Sequence, residues 1–151
     1  AAGLGHAVSG LLAAGVMLAG VAAWIDIRTL RLPNELCAAV FAAGVLAGVF
    51  DSAWRASLIG AGVAAVPFGV VHVVGQRSLG FGDVKYAGAL GALVGVVWWP
   101  SVLVMGSVAF FAMAAVRLRI RSGPVPAGPS VLVGGLCGLG LALVLRARGV
   151  L

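Results

Sequence analysis

The chain has 151 residues, of which 62% are hydrophobic and only 9% charged, with a mean hydropathy of +1.18. A soluble domain carries roughly 25% charged residues, so this composition excludes a water-solvated globule and points to helices immersed in a bilayer. The net charge of +6 comes from basic residues dispersed between apolar runs, which argues against a nucleic-acid surface and for a topology signal.

The length suits one membrane-embedded domain, residues 1–151. Apolar runs bounded by charge or proline predict six helices, at 4–25, 35–50, 57–74, 84–97, 101–116 and 130–145. The expected fold class is therefore an all-α polytopic membrane protein. The first run has no basic stretch before it and outlasts the roughly 7–15 apolar residues of a signal peptide, so it reads as a first span. The second and third runs follow short turns. Residues 86–116 contain no charge over 31 positions, too many for one ordinary span and few for two. Trp98-Trp99-Pro100 lies near the middle, two interfacial aromatics before a helix breaker, and predicts a split into two short helices.

The charges agree with six spans. One side then receives Arg28, Arg31, Arg77, Lys85, Arg117, Arg119 and Arg121, against Arg55, Arg146 and Arg148 opposite, seven to three. Five spans give six to four. The positive-inside rule favours the first arrangement, with the amino terminus outside and the seven-charge side cytoplasmic. Glycines and alanines within the runs, as at 44–48 and 91–95, suit close helix approach. Cys37 and Cys137 stand alone, with no CxxC and no nearby histidine, and are expected to be two small buried side chains. Neither a metal nor a cofactor is expected.

There are only four acids. Glu35 suits the first turn of the second helix, and Asp51 falls at the outer boundary with Arg55. The other two are expensive at a membrane edge, which makes them functional candidates. Asp26 closes the first run, and Asp83 sits in Gly80-Phe81-Gly82-Asp83-Val84-Lys85. Both precede the doubtful stretch, so both fall on the cytoplasmic side for either span count. Taken alone, Asp83 reads more readily as an ordinary helix N-cap.

Two neighbouring carboxylates cannot both ionise cheaply, so one keeps a proton while the other can draw one from water. That is the chemistry of aspartic proteolysis, which needs no metal and no covalent intermediate. The helix ends suggest Asp83 as base, at a positive end, and Asp26 as acid, at a negative one. Gly80 and Gly82 offer permissive backbone angles and a bare main chain for an extended substrate. Leu32-Pro33-Asn34 predicts a turn with Asn34 capping the second helix. Arg28 and Arg31 fit membrane anchoring or a site role, and Lys85 fits tuning of Asp83 or snorkelling. His6 reads as interfacial. His72 lies near enough to approach the acids, although ordinary packing explains it equally.

The motifs together resemble the type IV prepilin peptidases, GxGD-type aspartic membrane peptidases. Asp26, Arg28, Leu32, Pro33 and Asn34 match the family's first motif, with leucine in place of isoleucine. Gly80, Gly82, Asp83 and Lys85 match the second, which continues into the glycine spacing of Gly91 and Gly95. Residues 125–134, with Pro126, Gly128 and Pro129, echo a Pro-x-Gly-Pro segment opening the last helix. The likeness implies that Asp26 and Asp83 are catalytic, with Gly80, Gly82, Lys85, Arg28, Pro33 and Asn34 shaping the site or binding substrate. It implies prepilin-like protein substrates whose short basic leader is cut on the cytoplasmic side of a prokaryotic inner membrane. The partners expected are therefore such precursors and the lipid bilayer, with no nucleic acid. Nothing here matches the paired CxxC motifs of the family's methyltransferase portion, so product methylation is not supported. The compact form is similar to Flp/Tad-type prepilin and preflagellin peptidases. Presenilin-like proteases share GxGD but pair it with motifs absent here. The competing readings are a small proton- or cation-coupled transporter, which calls for ionisable groups at mid-membrane, and an inactive member of the peptidase fold.

Overall fold

In the computed structural model, which describes residues 2–74, 79–119 and 126–150, the chain forms six α-helices and no strand among those residues. They are α1 (Ala2–Thr29), α2 (Asn34–Phe50), α3 (Trp54–Val74), α4 (Phe81–Trp98), α5 (Ser101–Arg119) and α6 (Gly128–Ala147). Each expected run is present as a helix. All but α2 extend by several residues beyond the expected bounds, because charged residues at the ends of the runs continue the helix instead of ending it. α1 carries Asp26 and Arg28 within its last turns, and α5 carries Arg117 and Arg119. The split at Trp98-Trp99-Pro100 is as expected: α4 stops at Trp98, and Ser101 Oγ donates to the Trp98 carbonyl at 2.6 Å as α5 begins.

Four helices, α1, α3, α5 and α6, are long and apolar enough to cross a membrane, and α2 is a shorter apolar helix. α5, with 19 residues, is about 28 Å long, close to the roughly 30 Å of a hydrocarbon core. Large apolar side chains point outward along these helices: Met17, Val66 and Phe111 are 67%, 63% and 78% exposed. Water would penalise such a surface, whereas lipid solvates it. The chain is a polytopic all-α membrane protein.

α4 is the hub, in contact with each of the other five helices. Residues 86–96 are buried without a break, the pattern of a helix enclosed on every side. Its glycines make that possible. Gly91 lies on the backbone of Gly60 in α3, and a Cβ on Gly95 would stand 2.6 Å from the Ala56 carbonyl oxygen. On the α2 side, a Cβ on Gly44 would stand 2.7 Å from the Leu93 nitrogen. The small residues at 44–48 and 91–95 therefore set the helix spacing. Buried Tyr86 donates its hydroxyl to the Ala19 carbonyl at 2.7 Å, tying α4 to α1.

One residue-level expectation is corrected here. Cys37 is buried, but Cys137 is exposed on the outward face of α6. Apolar periodicity could not distinguish that face from the packed one, because both are apolar. At the outer boundary, Asp51 pairs with Arg146 of α6 at 3.4 Å, and the Arg55 guanidinium lies over the Trp54 ring.

Candidate active site

The C-terminal ends of α1, α3 and α5 and the N-terminal starts of α2, α4 and α6 line one cavity of about 1040 Å³. Successive helices therefore reverse direction, and the carboxyl end of each odd helix meets the amino end of each even one. Asp51 and Arg146 belong to the opposite end, in a smaller cavity. The charge-rich end anticipated from the sequence is the end that holds this larger cavity. Of its seven expected cations, Arg77 and Arg121 lie outside the described residues.

Asp26 and Asp83 both line the cavity. Asp26 is 4% exposed, one turn before the end of α1, and its carbonyl accepts the N–H of Leu30 at 2.8 Å. Leu30 then takes φ +53°, a left-handed angle that favours glycine. The chain thus turns sharply at Leu30, three residues before the proline that announced the turn. The Asp26 carboxylate accepts the backbone N–H of Gly128, the first residue of α6, at 2.8 Å.

Asp83 is half-buried in the first turn of α4. Its carboxylate accepts the N–H of Gly80 at 3.0 Å, while its own N–H bonds the Gly80 carbonyl at 3.1 Å. Asp83 therefore sits three residues inside the helix, with Gly80 at the cap position that the sequence offered to Asp83. Gly80 has φ −74°, ψ 150°, ordinary extended backbone, so its glycine is explained by space. A Cβ there would sit 3.3 Å from the Asp83 carboxylate.

The remaining candidates divide. Gly80, Gly82, Lys85 and Asn34 line the cavity with the two acids, whereas Arg28 and Pro33 do not. The Arg28 guanidinium lies over the Trp24 ring at 4.7 Å, as an anchor would, and Arg31 lines the cavity instead. Asn34 is the first residue of α2, not its cap; Pro33 holds the cap position. The Asn34 side chain instead accepts Lys85 Nζ at 3.2 Å, joining the starts of α2 and α4. Lys85 also lies over the Phe81 ring. A Cβ on Gly82 would meet the side chain of Leu32 at 3.5 Å, an ordinary contact. His72, on α3, holds the chain just before α4: its Nδ1 is 2.8 Å from the Leu79 carbonyl and its ring lies against Phe81.

Sequence reasoning missed two features. The first is an apolar wall of the cavity formed by Val71, Phe110 and Met113, from helices without any motif. The second is the contact from Gly128 to Asp26, whose only trace was the glycine-proline pair opening the last helix. That contact also alters the electrostatics expected from helix ends. Asp26 stands near the negative end of its own helix but is docked on the positive end of α6. Both acids consequently face a helix start, and helix ends no longer separate their roles.

Residues 12–118 match the type IV leader peptidase family. The chain is also 28% identical to a prepilin leader peptidase/N-methyltransferase of Pectobacterium carotovorum subsp. carotovorum, in an alignment taking in 85% of this chain and 55% of that protein. It thus spans about half the length of that relative. No solved structure matches. With both acids, the glycine-flanked helix start and most of the bundle inside the matched segment, the chain belongs to the type IV leader peptidase family.

Proposed function

We propose that this protein is an aspartic endopeptidase that removes the leader from prepilin-like precursors, with its cavity facing the cytoplasm. The observation that carries the reading is that Asp26 and Asp83 line one cavity, each carboxylate held by a backbone N–H at a helix start. The cavity volume of about 1040 Å³ admits a stretch of peptide. In the proposed reaction one carboxylate accepts a proton from water as the oxygen attacks the scissile carbonyl. The other, protonated, gives its proton to the carbonyl oxygen. As the C–N bond breaks, the acid that took water's proton gives it to the leaving nitrogen, and the other carboxylate takes a proton back from a hydroxyl of the tetrahedral diol, so the pair ends the cycle with the one proton it began with. Gly80 lies extended at the cavity wall, where it can run beside a substrate backbone. Arg31 and Lys85 border the same space, while Val71, Phe110 and Met113 offer an apolar surface to the precursor's hydrophobic part.

The cytoplasmic orientation rests on the charge count, with the cation-rich end inside. The reading covers leader removal alone. The direct test is co-expression with a candidate prepilin, scored by mass spectrometry of the membrane fraction. Leader-free pilin is expected with the intact protein and not with the empty vector. Equal processing in both would remove the support for the proposal.

A further inference from the structure

We propose that the amino end of α6, through Gly128, is the positioning element for the Asp26 carboxylate, so that Gly128 governs catalytic rate without touching substrate. This inference rests on the peptidase reading above, within which Asp26 is one of the reacting acids. Three observations converge. Asp26 is among the few buried polar side chains, and its carboxylate receives the Gly128 N–H at 2.8 Å. α6 has no side-chain cap of its own, since Ala127 precedes it and proline occupies its first turn. Asp26, 102 residues earlier in the chain, supplies the acceptor that a serine or aspartate normally provides locally. Finally, the residue at 128 has no room for a side chain. A Cβ there would stand 2.8 Å from Asp26 Oδ2 and 3.1 Å from its Cβ.

The geometry makes Gly128 specific in a way other α6 glycines are not. Gly134 is pressed against the Met105 carbonyl of α5, so its smallness serves helix packing. Gly140 faces open space. Alanine at each position therefore perturbs a different thing: the carboxylate at 128, the α5–α6 seam at 134, and nothing at 140. The added methyl at 128 pushes the carboxylate aside and lengthens its charge-assisted bond, while Asp26 itself remains chemically intact. A displacement on the order of 1 Å in a reacting group costs about 100-fold in rate.

The test compares purified Gly128→Ala, Gly134→Ala and Gly140→Ala with the intact protein and Asp26→Asn, using an unprocessed prepilin, leader attached, as substrate and recording kcat, KM and melting temperature in detergent. Gly128→Ala is expected to lose roughly 10- to 100-fold in kcat, with KM within about twofold and near-native melting. Gly134→Ala is expected to melt lower, with kcat per folded molecule kept, and Gly140→Ala to match the intact protein. Should Gly128→Ala fail to accumulate, hydrogen exchange of the segment 126–130 reads the contact directly. Exchange there should stay slow in Asp26→Asn, whose amide oxygen still accepts, and rise in Asp26→Ala. An intact kcat in Gly128→Ala, or equal exchange in Asp26→Asn and Asp26→Ala, overturns the inference while the peptidase reading stands. Activity retained by Asp26→Asn instead overturns the peptidase reading itself.

Discussion

At the residue scale, each acid depends on a glycine neighbour for a different reason from the one sequence suggests. Glycine beside an acid implies unusual backbone angles, yet Gly80 is plainly extended and Gly128 is simply too close to a carboxylate for any side chain. Replacing either acid by asparagine preserves the shape and one acceptor oxygen, so both variants should accumulate and melt near the intact protein. Tyr86 offers a separate check on the packing around the acids. Its hydroxyl is buried on the Ala19 carbonyl, so Tyr86→Phe should lower stability by about 1 kcal/mol in a detergent melt. Asp51 provides the contrast: its bond to Arg146 is partly exposed at the far end, so Asp51→Asn should change stability by less than about 1 kcal/mol and leave cleavage intact.

At the element scale, α4 carries Asp83 and is fixed by backbone-to-backbone contact. Gly91 and Gly60 lie so close that a methyl on either meets the other's carbonyl. Gly91→Val should therefore separate α3 from α4 and cost at least about 2 kcal/mol, read as a fall in melting temperature and in membrane accumulation. Gly62→Val, on α3 but facing open space, should do neither. A Gly91→Val protein as stable as the intact one would mean that α3 and α4 are not packed this way. The existence of each helix was legible in the sequence, because uninterrupted apolar runs leave few other conformations in lipid. The packing was legible only in part. Small residues at 91–95 indicated close approach, but which helix approached depended on three-dimensional neighbours that no local pattern encodes.

At the scale of the whole molecule, alternating helix directions bring the starts of α2, α4 and α6 to one end, where both acids lie. Charge counting anticipated that common end, since Asp26 and Asp83 precede the one ambiguous stretch. It could not reveal that α6 reaches Asp26, because that contact joins residues 102 apart through a neutral backbone N–H. Nor could it place Arg28 away from the cavity and Arg31 on it, a distinction set by the sharp turn at Leu30. Orientation is open to a labelling test. Single cysteines introduced in a Cys37→Ser, Cys137→Ser background should react from outside at Trp99 and from the cytoplasm at Arg31, and the reverse pattern would place the cavity on the other face.

The central claim is that Asp26 and Asp83 act as one pair on a leader peptide. Its most direct measurement is leader removal from a purified prepilin by Asp26→Asn, Asp83→Asn and Asp51→Asn, each at matched folded concentration. The account predicts that either of the first two loses at least about 100-fold in kcat/KM while Asp51→Asn keeps near-native activity. Near-native cleavage by Asp26→Asn or Asp83→Asn would contradict it.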